Sequence, residues 1–262
     1  MRAMAKFHFL YPLLIVALGI TCNTAAQPNK NQQTIVIELF TSEGCSTCPP
    51  ADALLGQLSQ QRTGHAVELV LLGEHVEYWD GQGWKDRFSA PVFTQRQYDY
   101  VRYLHLATAY TPQVVVDGHL QASGGNATAL QRLIADAAHD EKPSVVSLER
   151  LAPDKFHVAV DGPPGRKLQV LFGITEDNLT TSVRGGENQG RVLNHTAVVR
   201  ELHALGTTSD AHFEKTVNAK IKPDWKPQDL RAIVLVQDQS SGQIEGAASI
   251  TLANSVTATT GR

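Results

Sequence analysis

Two cysteines, Cys45 and Cys48, stand with two residues between them in the run Glu43-Gly44-Cys45-Ser46-Thr47-Cys48-Pro49-Pro50. That spacing suits dithiol chemistry. A first thiolate attacks a disulfide, and a second sulfur this near can resolve the mixed disulfide that forms. The pair falls where a helix is expected to start. The amide hydrogens there lack helical partners and favour negative charge. A cysteine so placed has its pKa lowered, and the thiolate is the nucleophile. The expected roles are Cys45 as the exposed attacker and Cys48 as the more buried resolver. Ser46 and Thr47 carry no charge, but they can donate hydroxyl hydrogen bonds. This chemistry calls for no cofactor.

Other readings of the pair stay open. A silent disulfide across two residues closes a very small loop, so it gains little chain entropy. A metal site needs further ligands, and the best candidate is His75, with Glu43 and Glu74 behind it. Cys45, Cys48 and His75 together would suit copper(I) or a three-ligand zinc site, making the protein a copper or zinc carrier. A third possibility is a non-catalytic module that binds a partner in the cell envelope.

The elements that must position these residues alternate. Thr34–Phe40 contains the run Ile35-Val36-Ile37 and reads as a buried strand. After the cysteines, Pro49 and Pro50 suit a first helical turn, and Ala51, Leu54, Leu55 and Leu58 recur at helical spacing. Ala66–Leu72 is a second buried strand, which makes a β-α-β unit with parallel strands and a right-handed crossover. Gly73–Ser89 is irregular and aromatic, with Tyr78, Trp79, Trp84 and Phe88. It reads as a loop packed over the sheet end, or as a substrate groove to which Trp79 contributes. Pro91 opens a helix reaching about Leu106. Tyr110-Thr111-Pro112 leads into strand Gln113–Val116, Asp117-Gly118 marks a hairpin, and His119–Ala122 returns. A helix with Leu130, Leu133, Ile134 and Ala137 closes the half. The expected first domain, 34–141, is α/β: β-α-β, a helical insertion, then β-β-α.

Glu141-Lys142-Pro143-Ser144 reads as a linker. Beyond it, β-rich runs recur at Val145–Leu151, Phe156–Val160, Lys167–Thr175, Ala197–His203, Phe213–Ala219, Arg231–Gln237 and Ile244–Thr251. Short strands punctuated by turns predict an all-β antiparallel sandwich over 145–252. The loop Arg184–Arg191 is read as a solvated connection; its alternative is docking beside the dithiol through Glu187, Asn188 and Arg191. Asn194-His195-Thr196 matches a glycosylation triplet by chance. A flexible tail is expected over 253–262.

The chain starts like an export signal: Arg2 and Lys6, an uncharged run Phe7–Ile20, then small residues to Ala26. The run contains Pro12 and is shorter than the ~20 residues needed to span a bilayer. Cleavage is expected near Ala26, leaving a periplasmic or secreted protein with no membrane segment. Cys22 has a rival reading as a lipid-bearing cysteine, but Gly19 and Thr21 fit that motif poorly. Among 262 residues, 42% apolar and 19% charged argue against disorder, and a formal charge of −3 gives no basic excess for nucleic acid.

Several motifs are closer to one family than to a fold class. Glu38-Leu39-Phe40-Thr41-Ser42-Glu43-Gly44-Cys45-Ser46-Thr47-Cys48-Pro49-Pro50-Ala51-Asp52 is one. The others are His75–Asp80, Gly83–Asp86, Tyr110–Gly118 and Gly186–Arg191. Together they resemble the secreted bacterial thioredoxin-like family catalogued as domain of unknown function twelve twenty-three. Glu77 stands where that pattern has Asp, and Gly185 where it has Arg. The resemblance implies a thioredoxin-like fold in which Thr111-Pro112 is a cis bond facing the dithiol and positioning a substrate strand. The function it suggests is thiol–disulfide oxidoreductase activity on thiols of envelope or secreted proteins. It supplies neither a substrate nor an oligomeric state.

Overall fold

The computed structural model describes residues 33–62, 67–208 and 210–253. The expected signal segment, Cys22 and all but the first residue of the expected tail lie outside the described residues. β1 (Gln33–Thr41) is followed by α1 (Pro49–Ser59), β2 (Val67–His75), a 3-10 turn at Glu77–Trp79, and α2 (Pro91–Tyr103). Then come β3 (Gln113–Val116), β4 (Leu120–Ser123) and α3 (Ala127–Ala137). β1 and β2 run parallel, as the β-α-β reading predicts, and β3 and β4 add antiparallel on the other side of β1. β2 outlasts its predicted end at Leu72, because the parallel ladder continues to the pair Thr41 and His75. α2 stops three residues short of Leu106, and His105 has a positive φ of 53°.

The second half supplies β5 (Val145–Ala152), β6 (Lys155–Asp161), β7 (Leu168–Glu176), β8 (Leu179–Ser182) and β9 (Val192–His195). It continues with β10 (Val198–Thr207), β11 (His212–Asn218), β12 (Leu230–Asp238) and β13 (Ile244–Thr251). All seven predicted runs are strands. β8 and β9 form an additional two-stranded ribbon flanking the loop at Arg184–Arg191.

The architecture differs from two separate domains. Among the described residues, one mixed sheet has the order β13-β12-β7-β10-β2-β1-β3-β4, so strands of both halves share it. β10 lies parallel to the outer edge of β2, with Val198 opposite Gly73. The reason is burial. Val36, Val70 and Leu72 of the first half pack with Leu171, Ile233 and Leu235 of the second, all around Phe93 of α2. A free edge on β2 would leave these side chains and a row of backbone groups exposed. On the opposite face, α1 and α3 cover β1–β4 through Ile35, Ile37, Leu39, Leu55 and Leu130. The three-stranded sheet β11-β6-β5 covers β7 and β12 through Phe156, Phe172 and Val234. The predicted linker is also pinned: Lys142 Nζ lies 2.7 Å from the Asp117 carboxylate, and Ser144 N donates to Glu245 O. The result is a sheet-rich, mixed α/β protein with few helices.

α2 brings charge into this interior. Its Arg96 pairs with Glu38 of β1, lies 3.4 Å from Glu74 of β2 and donates to Gln237 of β12 at 3.0 Å. Tyr100 donates its hydroxyl hydrogen to Glu38. Neither carboxyl has exposed surface, and that of Glu74 makes no hydrogen bond. Burial and the neighbouring Glu38 push Glu74 well above the usual carboxylate range, while Arg96 opposes this.

Candidate redox site

Cys45 and Cys48 form a disulfide with Cα atoms 5.4 Å apart. β1 ends at Thr41, and the turn Ser42–Thr47 returns through Cys45 N to Ser42 O and Cys48 N to Cys45 O, both 3.2 Å. Cys48 is the N-cap of α1, and the prolines fill the first two helical positions, where no amide hydrogen has a helical partner to lose. The Thr47 hydroxyl is 3.4 Å from Cys45 Sγ. In the reduced protein that hydroxyl is placed to donate to a Cys45 thiolate, which favours the charged form.

The expectation of an exposed Cys45 is corrected: both cysteines have 0% exposure. The loop between β8 and β9 docks on the turn that carries them. Asn188 Nδ2 donates to both Glu43 O and Cys45 O at 2.9 Å, and Arg191 donates to Asn188 Oδ1 at 2.9 Å. Glu187 accepts the Ser46 amide hydrogen at 3.1 Å, and the Ser46 hydroxyl together with this amide lowers its pKa. The reading of Arg184–Arg191 as a merely solvated connection is therefore replaced by its alternative, a loop docked beside the disulfide.

The aromatic segment also takes part. Trp79 Cβ lies 3.2 Å from where a Cβ on Gly44 would sit, and Trp79 Nε1 donates to the Thr111 hydroxyl at 2.8 Å. Thr111–Pro112 is cis. Pro112 and Ala51 of α1 both flank Gly124, each within 3.2 Å of a Cβ built there. Trp79 thus links Gly44 of the cysteine turn to Thr111, and Pro112 meets Ala51 of α1 across Gly124.

His75 is held elsewhere. Its Nδ1 is 2.6 Å from Asp86, and its ring packs edge-on against Phe88 and His195. Burial alone would pull His75 down, but the Asp86 carboxylate more than reverses this and holds it above the ordinary histidine value. Burial pushes Asp86 up, yet the His75 charge and the amides of Glu43 and Phe88 outweigh it and bring Asp86 to about 2. Among the described residues no three His, Cys, Asp or Glu side chains are grouped as metal ligands, so His75 is not brought together with the cysteines for that purpose.

Sequence reasoning passed over the layer beneath the disulfide. Asp52, one turn along α1 from Cys48, accepts the Thr41 hydroxyl hydrogen at 2.9 Å; its burial raises its pKa, although His195 and His75 oppose this. Glu43 accepts from Trp84 Nε1 at 2.8 Å and lies 3.3 Å from His195 Nε2. The i,i+4 spacing of Cys48 and Asp52 was visible; the arrival of His195 from β9 was not.

Fold and site define a mixed α/β protein carrying a covered Cys-x-x-Cys disulfide at a helix N-terminus. The chain belongs to the family described as protein of unknown function DUF1223, whose model matches residues 36–237. A crystal structure of an Agrobacterium tumefaciens protein is similar to it, with 27% identity, a TM-score of 0.67, and coverage of 84% of this chain and 95% of that one. A domain of the outer membrane lipoprotein Omp28 from Porphyromonas gingivalis reaches 14% identity and a TM-score of 0.25 over 42% of this chain and 88% of that domain, too little overlap to bear on fold or function. No curated protein matches the chain.

Proposed function

We propose that this chain is an exported thiol–disulfide oxidoreductase-like protein acting on cysteines of envelope or secreted proteins. The observation that carries the reading is the Cys45–Cys48 disulfide at the N-terminus of α1, with the Thr47 hydroxyl beside Cys45 Sγ. The strand order β2-β1-β3-β4, with α1 after β1 and β3 antiparallel to β1, supports reading this half as thioredoxin-like. Export rests on the N-terminal sequence alone.

In the exchange a partner thiolate attacks Cys45 Sγ. The Cys45–Cys48 bond breaks, a mixed disulfide forms, and Cys48 leaves as a thiolate that takes up a proton. A second partner thiol loses its proton and attacks the partner's own sulfur, releasing Cys45. Two electrons and one proton pass from partner to chain, Cys45 is left as the thiolate, and the partner leaves oxidised. Run backwards, the same steps oxidise a partner. In this reading Trp79, Thr111 and Pro112 bind the partner segment.

The test is a trap. A Cys48→Ser variant lacks the resolving sulfur, so mixed disulfides between Cys45 and envelope proteins should accumulate and be recovered on non-reducing gels. Cys45 in the reduced protein should also be alkylated at a lower pH than a free cysteine, whose pKa is about 8.5. An empty trap together with an ordinary Cys45 would reject the redox reading in favour of a non-catalytic module.

A further inference from the structure

We infer that the loop from Val183 to Arg191 is a latch over the disulfide, and that Asn188 decides which thiols reach it. The inference rests on the redox reading for its biological meaning, but its geometry stands alone. Asn188 is 1% exposed and inserts its amide between two backbone carbonyls of the cysteine turn. Arg191 fixes the amide orientation from the other end. Glu187 takes the Ser46 amide, between the two sulfurs in the chain. The latch seats against Gly83 through Gly185, where a Cβ would stand 2.2 Å from Gly83 O. Gly186 packs against Trp84 and Gln82, and turns within the loop include Gln189 N to Gly186 O at 3.2 Å and Gly190 N to Val183 O at 2.9 Å.

Closed, the latch leaves no sulfur surface for an in-line attack. It selects for partners that can displace Asn188 from the turn and offer their own polar groups to Glu43 O and Cys45 O. An extended polypeptide beside a cysteine has such backbone amides, and a small free thiol does not. Reduction also works against closure. A thiolate at Cys45 would add negative charge to the turn whose Ser46 amide the Glu187 carboxylate holds, and like charges repel. The oxidised form is therefore the latched one, and the reduced form the one that opens.

The experiment measures reduction of the Cys45–Cys48 bond by dithiothreitol, which itself closes to its cyclic disulfide while both cysteines become thiols. Asn188→Ala removes the amide clamp, and Gly185→Ala lifts the latch from its opposite side. Each should speed reduction at least tenfold. Phe156→Leu, in the core under the three-stranded sheet, is the control for general loosening. Hydrogen exchange at the Gln189 and Gly190 amides should be faster in the reduced protein than in the oxidised one. Unchanged reduction rates in both latch variants, or an equal gain in Phe156→Leu at matched stability, would overturn the latch. Faster reduction without any trapped envelope partner would uphold the latch and reject the oxidoreductase reading instead.

Discussion

His75 and Asp86 form a buried pair whose members are shifted in opposite directions. The folded pKa of His75 is raised, so its contribution is complete below the unfolded value of about 6.5 and is lost as pH rises through the folded value. Asp86 is depressed to about 2 in the folded protein. Its contribution is complete above an unfolded value of about 3.9 and is lost as pH falls through about 2. The pair therefore stabilises most between about pH 4 and 6.5. Asp86→Asn should narrow its stability deficit against the parent as pH rises above that window, read from urea midpoints across pH. A deficit that grows with pH would contradict the pairing. Nothing in the sequence pointed to this pair beyond the presence of both residues. His75 was selectable because it follows β2, but its partner arrives from a loop whose path depends on Phe88 and His195 packing around the ring.

At the scale of elements, α2 was legible as a helix from Pro91 and from Phe93, Gln97 and Tyr100 along one face. Its role was not, because a helix pattern does not say which strands it will cover. In the fold it spans the junction of the two halves, and Arg96 holds Glu38 on one side and Gln237 on the other. Removing one partner of a buried ion pair leaves an unpaired charge, at a cost of about 3–5 kcal/mol. Arg96→Met should lose stability in that range. Glu74→Gln should stay close to the parent, since its carboxyl makes no hydrogen bond and burial already disfavours its charged form. Chemical denaturation of the two variants side by side decides it, and equal losses would refute Glu38 as the main partner of Arg96. The strands were readable for the reason that α2's position was not. Their runs, such as Ile35-Val36-Ile37, record burial on both faces, and the ends of β1 and β3 fall within a residue of expectation.

At the scale of the molecule, the boundary read at Glu141–Ser144 is a composition change inside a continuous unit. Charge and proline mark a turn equally well whether the next strand starts a new sheet or extends the old one. Only the pairing of β10 with β2 distinguishes these, and that depends on residues more than a hundred positions apart. A fragment spanning residues 33–141 would expose Val36, Val70 and Leu72 together with the β2 edge. It should fail to give a dispersed amide spectrum or a protease-resistant core by itself, and should recover both when mixed with a fragment spanning 142–253. The intact chain should unfold in a single transition seen alike by Trp fluorescence and circular dichroism.

Asn188 meets the carbonyls of Glu43 and Cys45 across 145 and 143 positions of chain. Polypeptide emerges at about 5–20 residues per second, so the cysteines precede their cover by roughly 10–30 seconds during synthesis. Throughout that interval they are bare thiols on an unfinished sheet. Their first oxidant is whatever meets the nascent chain, before Asn188 has any say in the choice. The oxidation state in which the protein starts its working life is thus set by the compartment and timing of its maturation.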